Sequence, residues 1–311
     1  MQIQFLGTSA GLPSRFRNVS STALKLLEEM NEIWLFDCGE GTQSQILQTT
    51  IKPAKISKIF VTHLHGDHIF GLPGLLSSRS FQGGENTVLD IIGPEGIREF
   101  IISALSLSRT HLSYRLNFTE LSQSEGMIKE KHGYNIHYHK LDHNITSYGF
   151  RVEEPPAPGK LLMSKVEALG ITPGPILGRL KNKETVTLTD GRVIHGRELL
   201  GPDRPGRIVT ILGDTRPCLG TEILAKNASV LVHEGTYGPE AKALAHKHYH
   251  STVVDACQLA KRSQVEQLYI NHISPRYLGE KIQHLITESR KIFPKSYLVK
   301  DFDSFDILAK K

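Results

Sequence analysis

Four potential metal ligands lie within six positions, in the run His63-Leu64-His65-Gly66-Asp67-His68. The run directly follows Ile59-Phe60-Val61, an apolar stretch that predicts a buried strand. Imidazole and carboxylate groups cost free energy to bury unless a partner satisfies them, so a cluster this dense favours a metal site over a hydrogen-bonded surface loop. A turn at a strand end splays alternate side chains, and one loop can therefore supply ligands to two neighbouring ions.

The apolar segments of the chain predict an α/β fold. Strand-like segments occur at Gln2–Gly7, Thr22–Leu27, Ile33–Asp37, Lys58–Thr62, Val88–Ile92, Asn135–Leu141, Tyr148–Glu153, Ile208–Leu212, Val230–His233, Gln267–Asn271 and Tyr297–Lys300. Helical patterns fall between them, at Leu72–Ser80, Pro94–Ser108, Pro239–Ala245, Val253–Ser263 and Lys281–Ile292, and a polar turn is predicted at Glu28–Glu32. This order indicates a sandwich of two packed, mixed β-sheets with helices outside.

Charge and cysteine content limit the class of protein. The 311 residues include 37 Lys and Arg against 32 Asp and Glu, a net charge of +5, which permits a polyanionic partner without requiring one. Cys38, Cys218 and Cys257 are far apart and argue against a disulfide framework or a thiolate zinc site. We see no signal peptide and no apolar run long enough for a membrane helix, so a cytoplasmic protein without a membrane partner is expected.

One segment differs from the rest of the predicted domain. From Glu154 to Gly206 the apolar alternation fades and Pro and Gly become frequent, as in Pro173-Gly174-Pro175. Between Lys160 and Arg197 there are seven Lys or Arg and three acidic residues. Two interpretations remain open: the segment is a long surface insertion or linker, or it is a basic insertion that binds a polyanion.

Three further ligand-type residues stand at predicted strand ends: His143, Asp214 and His272. Each by itself is more often a capping or loop residue than a ligand. Loops at one edge of a sandwich would bring such strand ends together. With the His63–His68 run they supply the seven ligands that two zinc ions need if one carboxylate bridges.

The order of these ligands resembles the metallo-β-lactamase superfamily. Further motifs narrow the resemblance: Phe5-Leu6-Gly7-Thr8-Ser9, Pro13-Ser14-Arg15-Phe16-Arg17-Asn18, Phe36-Asp37-Cys38-Gly39-Glu40-Gly41-Thr42-Gln43, His233-Glu234-Gly235-Thr236, His250-Ser251-Thr252 and His272-Ile273-Ser274-Pro275-Arg276-Tyr277. With them the chain resembles the ribonuclease Z (tRNase Z) family in its short form, although Arg15 stands where the family usually has Lys, and Gly235 where it has Ala. The resemblance runs from Gln2 to about Tyr277.

The resemblance implies a two-zinc centre in a metallo-β-lactamase αβ/βα sandwich. It assigns one zinc to His63, His65 and His143, and the other to Asp67, His68 and His272, with Asp214 bridging. Mn²⁺ or Co²⁺ could replace zinc, because availability often decides which ion fills such a site. Asp67 would also accept the proton of the attacking water, His250 would donate a proton to the leaving group, and Glu234 would orient His250.

The same resemblance implies the substrate, precursor tRNA cut after the discriminator base so that the tRNA keeps a 3′-hydroxyl. Residues 1–311 would form one domain, and the insertion at about 154–206 would be a flexible arm that binds tRNA. Substrate contacts are expected from Arg15, Arg17, Asn18, Pro173, Gly174 and Pro175. The family works as a homodimer in which one subunit's arm presents tRNA to the other subunit.

Two other functions compete with tRNA cleavage. A small-molecule metallo-hydrolase of the same fold, such as a lactonase or an arylsulfatase-like enzyme, would have no need for the basic insertion. A non-catalytic RNA-binding module with structural metals is disfavoured by the ligand set, because closed structural zinc sites usually employ cysteine.

Overall fold

The computed structural model describes residues 1–309, and the chain divides into two compact units. The first unit, Met1–Val152 with Ile208–Leu308, contains two seven-stranded sheets. The first sheet consists of β1 (Gln2–Gly7), β2 (Ser21–Leu26), β3 (Glu32–Phe36), β4 (Ile56–Phe60), β5 (Val88–Pro94) and β6 (Arg115–Leu121), with β16 (Ser304–Asp306) beside β1. The second consists of β7 (Glu125–Lys129), β8 (Asn135–Leu141), β9 (Ser147–Glu153), β12 (Ile208–Leu212), β13 (Val230–Glu234), β14 (Leu268–Asn271) and β15 (Ser296–Leu298).

An apolar core lies between the two sheets, because both contribute their inward side chains to one cluster. Phe36 and Phe60, on neighbouring parallel strands, stack with ring centroids 4.8 Å apart. Phe60 also contacts Phe150 of the second sheet, at 5.1 Å. Each fully buried aromatic side chain contributes about 1.5–3 kcal/mol relative to its exposed state, so this cluster holds the sheets, and the strand ends that they carry, in place.

The first unit also contains helices, and several of them pack on the sheets. Those of the N-terminal half are α1 (Leu27–Met30), α2 (Thr42–Ile46), α3 (Gly66–Ile69), α4 (Leu72–Phe81) and α5 (Ile97–Leu107), and those of the C-terminal half are α8 (Leu219–Ala225), α9 (Lys242–Lys247), α10 (Val253–Arg262) and α11 (Glu280–Ile292). Leu72, Leu76 and Ile101 of α4 and α5 pack in one cluster with the first sheet, and α10 and α11 pack with the second. The predicted α/β sandwich of two mixed sheets with helices outside is confirmed.

The second unit, Glu153–Arg207, covers nearly the same residues as the predicted insertion. It contains α6 (Met163–Ala168), α7 (Pro175–Lys181), β10 (Thr185–Thr187) and β11 (Val193–His195), the last two paired antiparallel. Its own apolar cluster is formed by Val166, Ile171, Leu180, Val186, Ile194 and Leu199. These elements have three to seven residues, too short for periodicity to reveal them in the sequence.

Some expectations differ from the structure. Glu28–Glu32 was expected to be a turn, but Leu27–Met30 forms one helical turn that ends at Asn31, whose φ of 59° is left-handed. Strands β6 and β7 are absent from the prediction. In β7 the apolar residues Met127 and Ile128 are adjacent and show no alternation, whereas β6 does alternate Leu116 and Phe118 with polar residues and was overlooked. No helix among residues 1–309 has the length and apolar character needed to cross a bilayer.

Candidate metal centre

The predicted ligands all follow strands at one edge of the fold. The His63–His68 run follows β4, His143 follows β8, Asp214 follows β12 and His272 follows β14. Strands β12, β13 and β14 are parallel and adjacent, so their carboxyl ends meet at the same edge. The structure therefore brings together side chains that are up to 209 positions apart, from 63 to 272, in the chain.

Ligand atoms form two groups at this edge. His63, His65, His143 and Asp214 offer atoms that all lie within 4.8 Å of one another, and so do Asp67, His68 and His272. In the first group Nε2 of His143 is 3.2 Å from Nδ1 of His65. In the second, Nε2 of His272 is 3.4 Å from Nε2 of His68 and 3.3 Å from Oδ2 of Asp67.

One oxygen of Asp214 faces both groups. Its Oδ2 lies 3.6 Å from Nε2 of His63, 3.5 Å from Nε2 of His68 and 3.3 Å from Nε2 of His272. The side chain is almost fully buried. Burial acts to raise the pKa of Asp214, but the neighbouring His272 and His68 outweigh it and hold that pKa well below its usual range. A carboxylate in this position can contact two cations at once.

Two carboxylate–hydroxyl relays set the tautomers of His63 and His272. The Thr62 hydroxyl donates to Asp37 (2.9 Å) and so accepts from Nδ1 of His63 (2.9 Å). The Thr236 hydroxyl donates to Oε2 of Glu234 (2.6 Å) and so accepts from Nδ1 of His272 (2.9 Å). With the proton on Nδ1, each ring presents a bare Nε2 towards the centre, the form that binds metal ions.

Two more ligand rings are oriented in the same way. Nδ1 of His68 donates to Asp37, at 2.7 Å, and Nδ1 of His143 donates to the backbone carbonyl of Tyr249, at 2.9 Å. Such outer hydrogen bonds are typical of metal-binding histidines, because they fix both ring orientation and tautomer. Asp37 thus holds His68 directly and His63 through Thr62.

The residues present fit metal ions. Nε2 of His63 is fully buried and makes no hydrogen bond within the described chain, a situation that costs about 1–3 kcal/mol unless another partner binds that nitrogen. Burial lowers the pKa of His63 well below its usual value and keeps the ring neutral. The centre contains imidazole and carboxylate donors and no thiolate, as in catalytic rather than structural zinc sites. Metal binding is the property that this donor set supports.

The buried Glu234 and the partly buried His250 form a pair beside the second group. Nδ1 of His250 donates to Oε1 of Glu234 at 2.9 Å. Burial acts to lower the pKa of His250, but the Glu234 carboxylate outweighs it and raises the pKa to about 9. His250 lies just before α10, whose N-terminus is closed by a capping box between Thr252 and Asp255. The hydrogen bond to Glu234 therefore orients the ring, and the raised pKa favours its protonated form.

The predicted substrate contacts lie in two places. Arg15, Arg17 and Asn18 line an open groove of about 820 Å³. Arg15 is exposed, whereas Arg17 donates to Thr8 and to a backbone carbonyl and is occupied in holding the loop. Residues 173–175 belong to the second unit, where Pro175 begins α7. The structure leaves their contacts with a substrate as predictions.

Sequence reasoning missed several residues that organise the centre. Asp37, Thr62 and Thr236 were quoted within motifs or strands but were given no role. The backbone N–H of Gly11 also donates to Oδ2 of Asp67, at 2.8 Å, a contact that the sequence does not indicate. The available signal was position: Asp37 and Thr62 both stand at strand ends next to the ligands, and Thr236 lies two residues after Glu234.

Comparison with known proteins shows the family. A family model described as Anti-Pycsar protein Apyc1 matches residues 1–155 only. Ribonuclease Z of Pediococcus pentosaceus is 54% identical over 307 residues, covering 99% of both chains. The crystal structure of human tRNase Z, short form, matches with a TM-score of 0.73 and 28% identity over 99% of this chain and 100% of the other.

The metallo-β-lactamase fold protein YhfI from Bacillus subtilis matches with a TM-score of 0.66 over 98% of both chains, at 16% identity, and supports the fold alone. The partial Apyc1 match ends near the middle of the chain, whereas the ribonuclease Z relative extends through both halves, so the full-length match decides the assignment. Because the chain is similar in sequence to ribonuclease Z over its whole length and shares the fold of human tRNase Z, it belongs to the ribonuclease Z family.

Proposed function

We propose that this protein removes the 3′ trailer of precursor tRNA by metal-dependent hydrolysis of the phosphodiester bond after the discriminator base. As a member of the ribonuclease Z family it is a hydrolase, an endonuclease of tRNA processing. The observation that carries the chemistry is the convergence of seven ligand-type side chains beside the Glu234–His250 pair. A small-molecule hydrolase of the same fold has no comparable support from the full-length relatives.

Two zinc ions are the proposed cofactors. The first ion would be held by His63, His65 and His143, and the second by Asp67, His68 and His272. Asp214 would contact both ions. The two groups of ligand atoms support this division. A third possible group, Asp214 with His250 and His272, competes with this division. The Glu234 carboxylate, however, raises the pKa of His250 and favours its protonated form, which cannot bind a metal ion, so we assign this ring proton donation rather than ligation. Mn²⁺ or Co²⁺ are possible substitutes.

Two side chains of the protein would carry out the two proton transfers of the reaction. When bound, two cations lower the pKa of water and stabilise the charge on the phosphoryl oxygens. Asp67, held by the Gly11 N–H, accepts the proton of the attacking water. His250 donates a proton to the ribose 3′-oxygen, which leaves as the 3′-hydroxyl of the tRNA. Glu234 keeps His250 protonated and oriented for this step.

The substrate body would be held outside the metal centre. We propose that Glu153–Arg207 acts as a flexible tRNA-binding arm inserted into an otherwise single metallo-β-lactamase-type domain, that Pro173, Gly174 and Pro175 contact tRNA, and that the subunits pair as homodimers. Arg15, Arg17 and Asn18 would contact the acceptor end. The relatives named ribonuclease Z come from bacteria, whose precursor tRNA is made in the cytoplasm, so we propose a cytoplasmic location.

A mapped cleavage assay tests the proposal. Purified protein loaded with zinc should cut a trailer-bearing tRNA transcript just after the discriminator base, and exhaustive chelation should abolish the cut. Elemental analysis should give about two zinc ions per chain, as the two-metal arrangement requires. A cut elsewhere, or full activity after chelation, would rule the proposal out.

Replacing Glu234 by Gln should shift the pH dependence of cleavage. His250 donates only while protonated, so activity falls as pH rises through its pKa, which Glu234 raises to about 9. Without that negative charge the pKa falls, and the alkaline limb should move to lower pH. Bound cations lower the pKa in both proteins, so the difference between them is the quantity to measure.

Glu222→Gln is the matched control, because Glu222 is a surface carboxylate paired with Arg262. Zinc content should be measured in parallel, since Glu234 also supports His272 through Thr236. An alkaline limb at the same pH in Glu234→Gln and wild type would refute the role given to Glu234.

A further inference from the structure

Arg216 joins the loop after β12 to the loop after β8. Its backbone N–H donates to the carbonyl of Asp142 at 3.1 Å, and its Nε donates to the Asp142 carboxylate. In return the Asp142 N–H donates to the Thr215 hydroxyl at 3.2 Å. Asp142 directly precedes His143, and Thr215 directly follows Asp214. The segments that carry two of the candidate metal ligands are therefore tied together next to those ligands.

The same guanidinium also contacts the loop that carries His250. Its Cζ lies 4.2 Å from the centroid of the Tyr249 ring, a cation–π contact, and one of its nitrogens is 3.5 Å from Nε2 of His246. Tyr249 has a φ of 59°, a backbone conformation that a tyrosine rarely adopts, so something must hold it there. Its carbonyl accepts from Nδ1 of His143.

These contacts connect three segments through one side chain. We propose that Arg216, acting through Asp142 and Tyr249, is a positioning residue that holds the proton donor His250 in register with His143 and Asp214. The ring centroids of His143 and His250 lie 5.2 Å apart. Tyr249 connects the two residues, because its carbonyl accepts from His143 and it directly precedes His250 in the chain. This inference rests on the proposed function, since it takes His250 as the proton donor.

The fold itself does not depend on Arg216. Its side chain is partly exposed, and the same loops have other anchors: the Ser251 hydroxyl donates to the Thr215 carbonyl at 2.7 Å, and the His250 N–H donates to the Ala245 carbonyl. Loss of the side chain should therefore loosen the position of His250 without unfolding the protein. A misplaced proton donor slows a reaction without weakening substrate binding.

The test compares zinc-loaded wild type with Arg216→Ala and Arg216→Lys. For a trailer-bearing tRNA, Arg216→Ala should lower kcat about 10–100-fold, the range for residues that orient a reactive group, while KM stays within about threefold. The kcat of Arg216→Lys should lie between those of wild type and Arg216→Ala, because an ammonium keeps the positive charge but not the planar guanidinium group. Hydrolysis of bis(p-nitrophenyl) phosphate, whose leaving group needs no proton, should fall by less than about threefold.

A matched control and a double variant make the result specific. Arg290 also lies over a tyrosine, Tyr297, at 5.8 Å, so Arg290→Ala removes a similar stack elsewhere and should leave cleavage unchanged. Because Arg216 acts through His250, Arg216→Ala combined with His250→Ala should be no slower than His250→Ala alone.

Three results with Arg216→Ala would overturn the proposal: a wild-type kcat, a loss of bound zinc, or a rise in KM with kcat unchanged. A fourth is a double variant whose loss of kcat is the product of the two single losses. Slow cleavage by His250→Ala with normal cleavage by Arg216→Ala would overturn this inference and leave the proposed function intact. Wild-type cleavage by His250→Ala would overturn the proton-donor assignment and the inference together.

Discussion

Asp67→Ala is expected to abolish cleavage of precursor tRNA, with a loss of at least about 10³-fold. The substitution removes both a candidate metal ligand and the proposed proton acceptor, and the latter role alone is typically worth about 10²–10⁴-fold. Oδ2 of Asp67 lies 3.3 Å from Nε2 of His272 and 3.5 Å from Nε2 of His68, so the substitution removes the carboxylate of the second group of ligand atoms. The measurement is single-turnover cleavage of a trailer-bearing transcript.

Binding and metal content complete this experiment. Affinity for tRNA should stay within a few-fold, since the carboxylate contributes no positive charge to the substrate's phosphates. Asp67→Asn keeps a ligating oxygen but is a poor proton acceptor, so it should retain more zinc than Asp67→Ala and still cleave poorly. Asp306→Asn, in edge strand β16, is the surface control. Wild-type cleavage by Asp67→Asn would remove the proton-acceptor role and leave only ligation.

Truncating the second unit is expected to separate tRNA cleavage from small-substrate hydrolysis. At its base, residue pairs Ala157 with Arg204 and Leu161 with Leu200 form isolated β-bridges, and Arg207 pairs with Glu154. A short Gly-Ser linker in place of residues 162–199 would keep this base and remove the apolar cluster as a whole. Deleting only Lys160–Arg197 would leave Leu199, a buried member of that cluster, without its partners.

With this truncation, kcat/KM for precursor tRNA should fall about 10²-fold, the order expected when a few phosphate contacts are lost, and its dependence on salt should weaken. Hydrolysis of bis(p-nitrophenyl) phosphate should stay within about twofold. An equal loss of both activities would mean that the second unit stabilises the first unit, which carries the candidate metal centre, rather than binds tRNA.

Point variants refine the same prediction. Lys160, Lys181 and Arg197 are exposed and form no ion pair within residues 1–309, whereas Arg179 and Arg192 pair with Glu184 and Asp190. Replacing the first three by Ala should weaken tRNA cleavage more than replacing the paired two, because a paired arginine is less available to a phosphate. A larger effect of the paired set would contradict the electrostatic explanation.

Much of the sandwich was predictable from local patterns. The bounds of β1, β8 and β12 agree with the sequence prediction, because each is a compact apolar or alternating segment between turn residues. β7 was missed because its two apolar residues are adjacent and leave no period of two, whereas β6 was missed although Leu116 and Phe118 alternate with polar residues. The elements of Glu153–Arg207 were missed for a different reason: each is too short to show a period, and they are stable only through their shared apolar cluster.

By itself, the sequence determined the run of candidate ligands His63–His68, the strand-end positions of His143, Asp214 and His272, and the family, since these depend on residue type, spacing and motif order. Only the tertiary structure decided how the groups meet: that one oxygen of Asp214 faces both ligand groups, and that Asp37 and Glu234 set ring tautomers through Thr62 and Thr236. It also decided that Arg216 joins three loops. The physical reason is that a hydrogen bond depends on distances of about 3 Å between residues far apart in the chain, which no local pattern encodes.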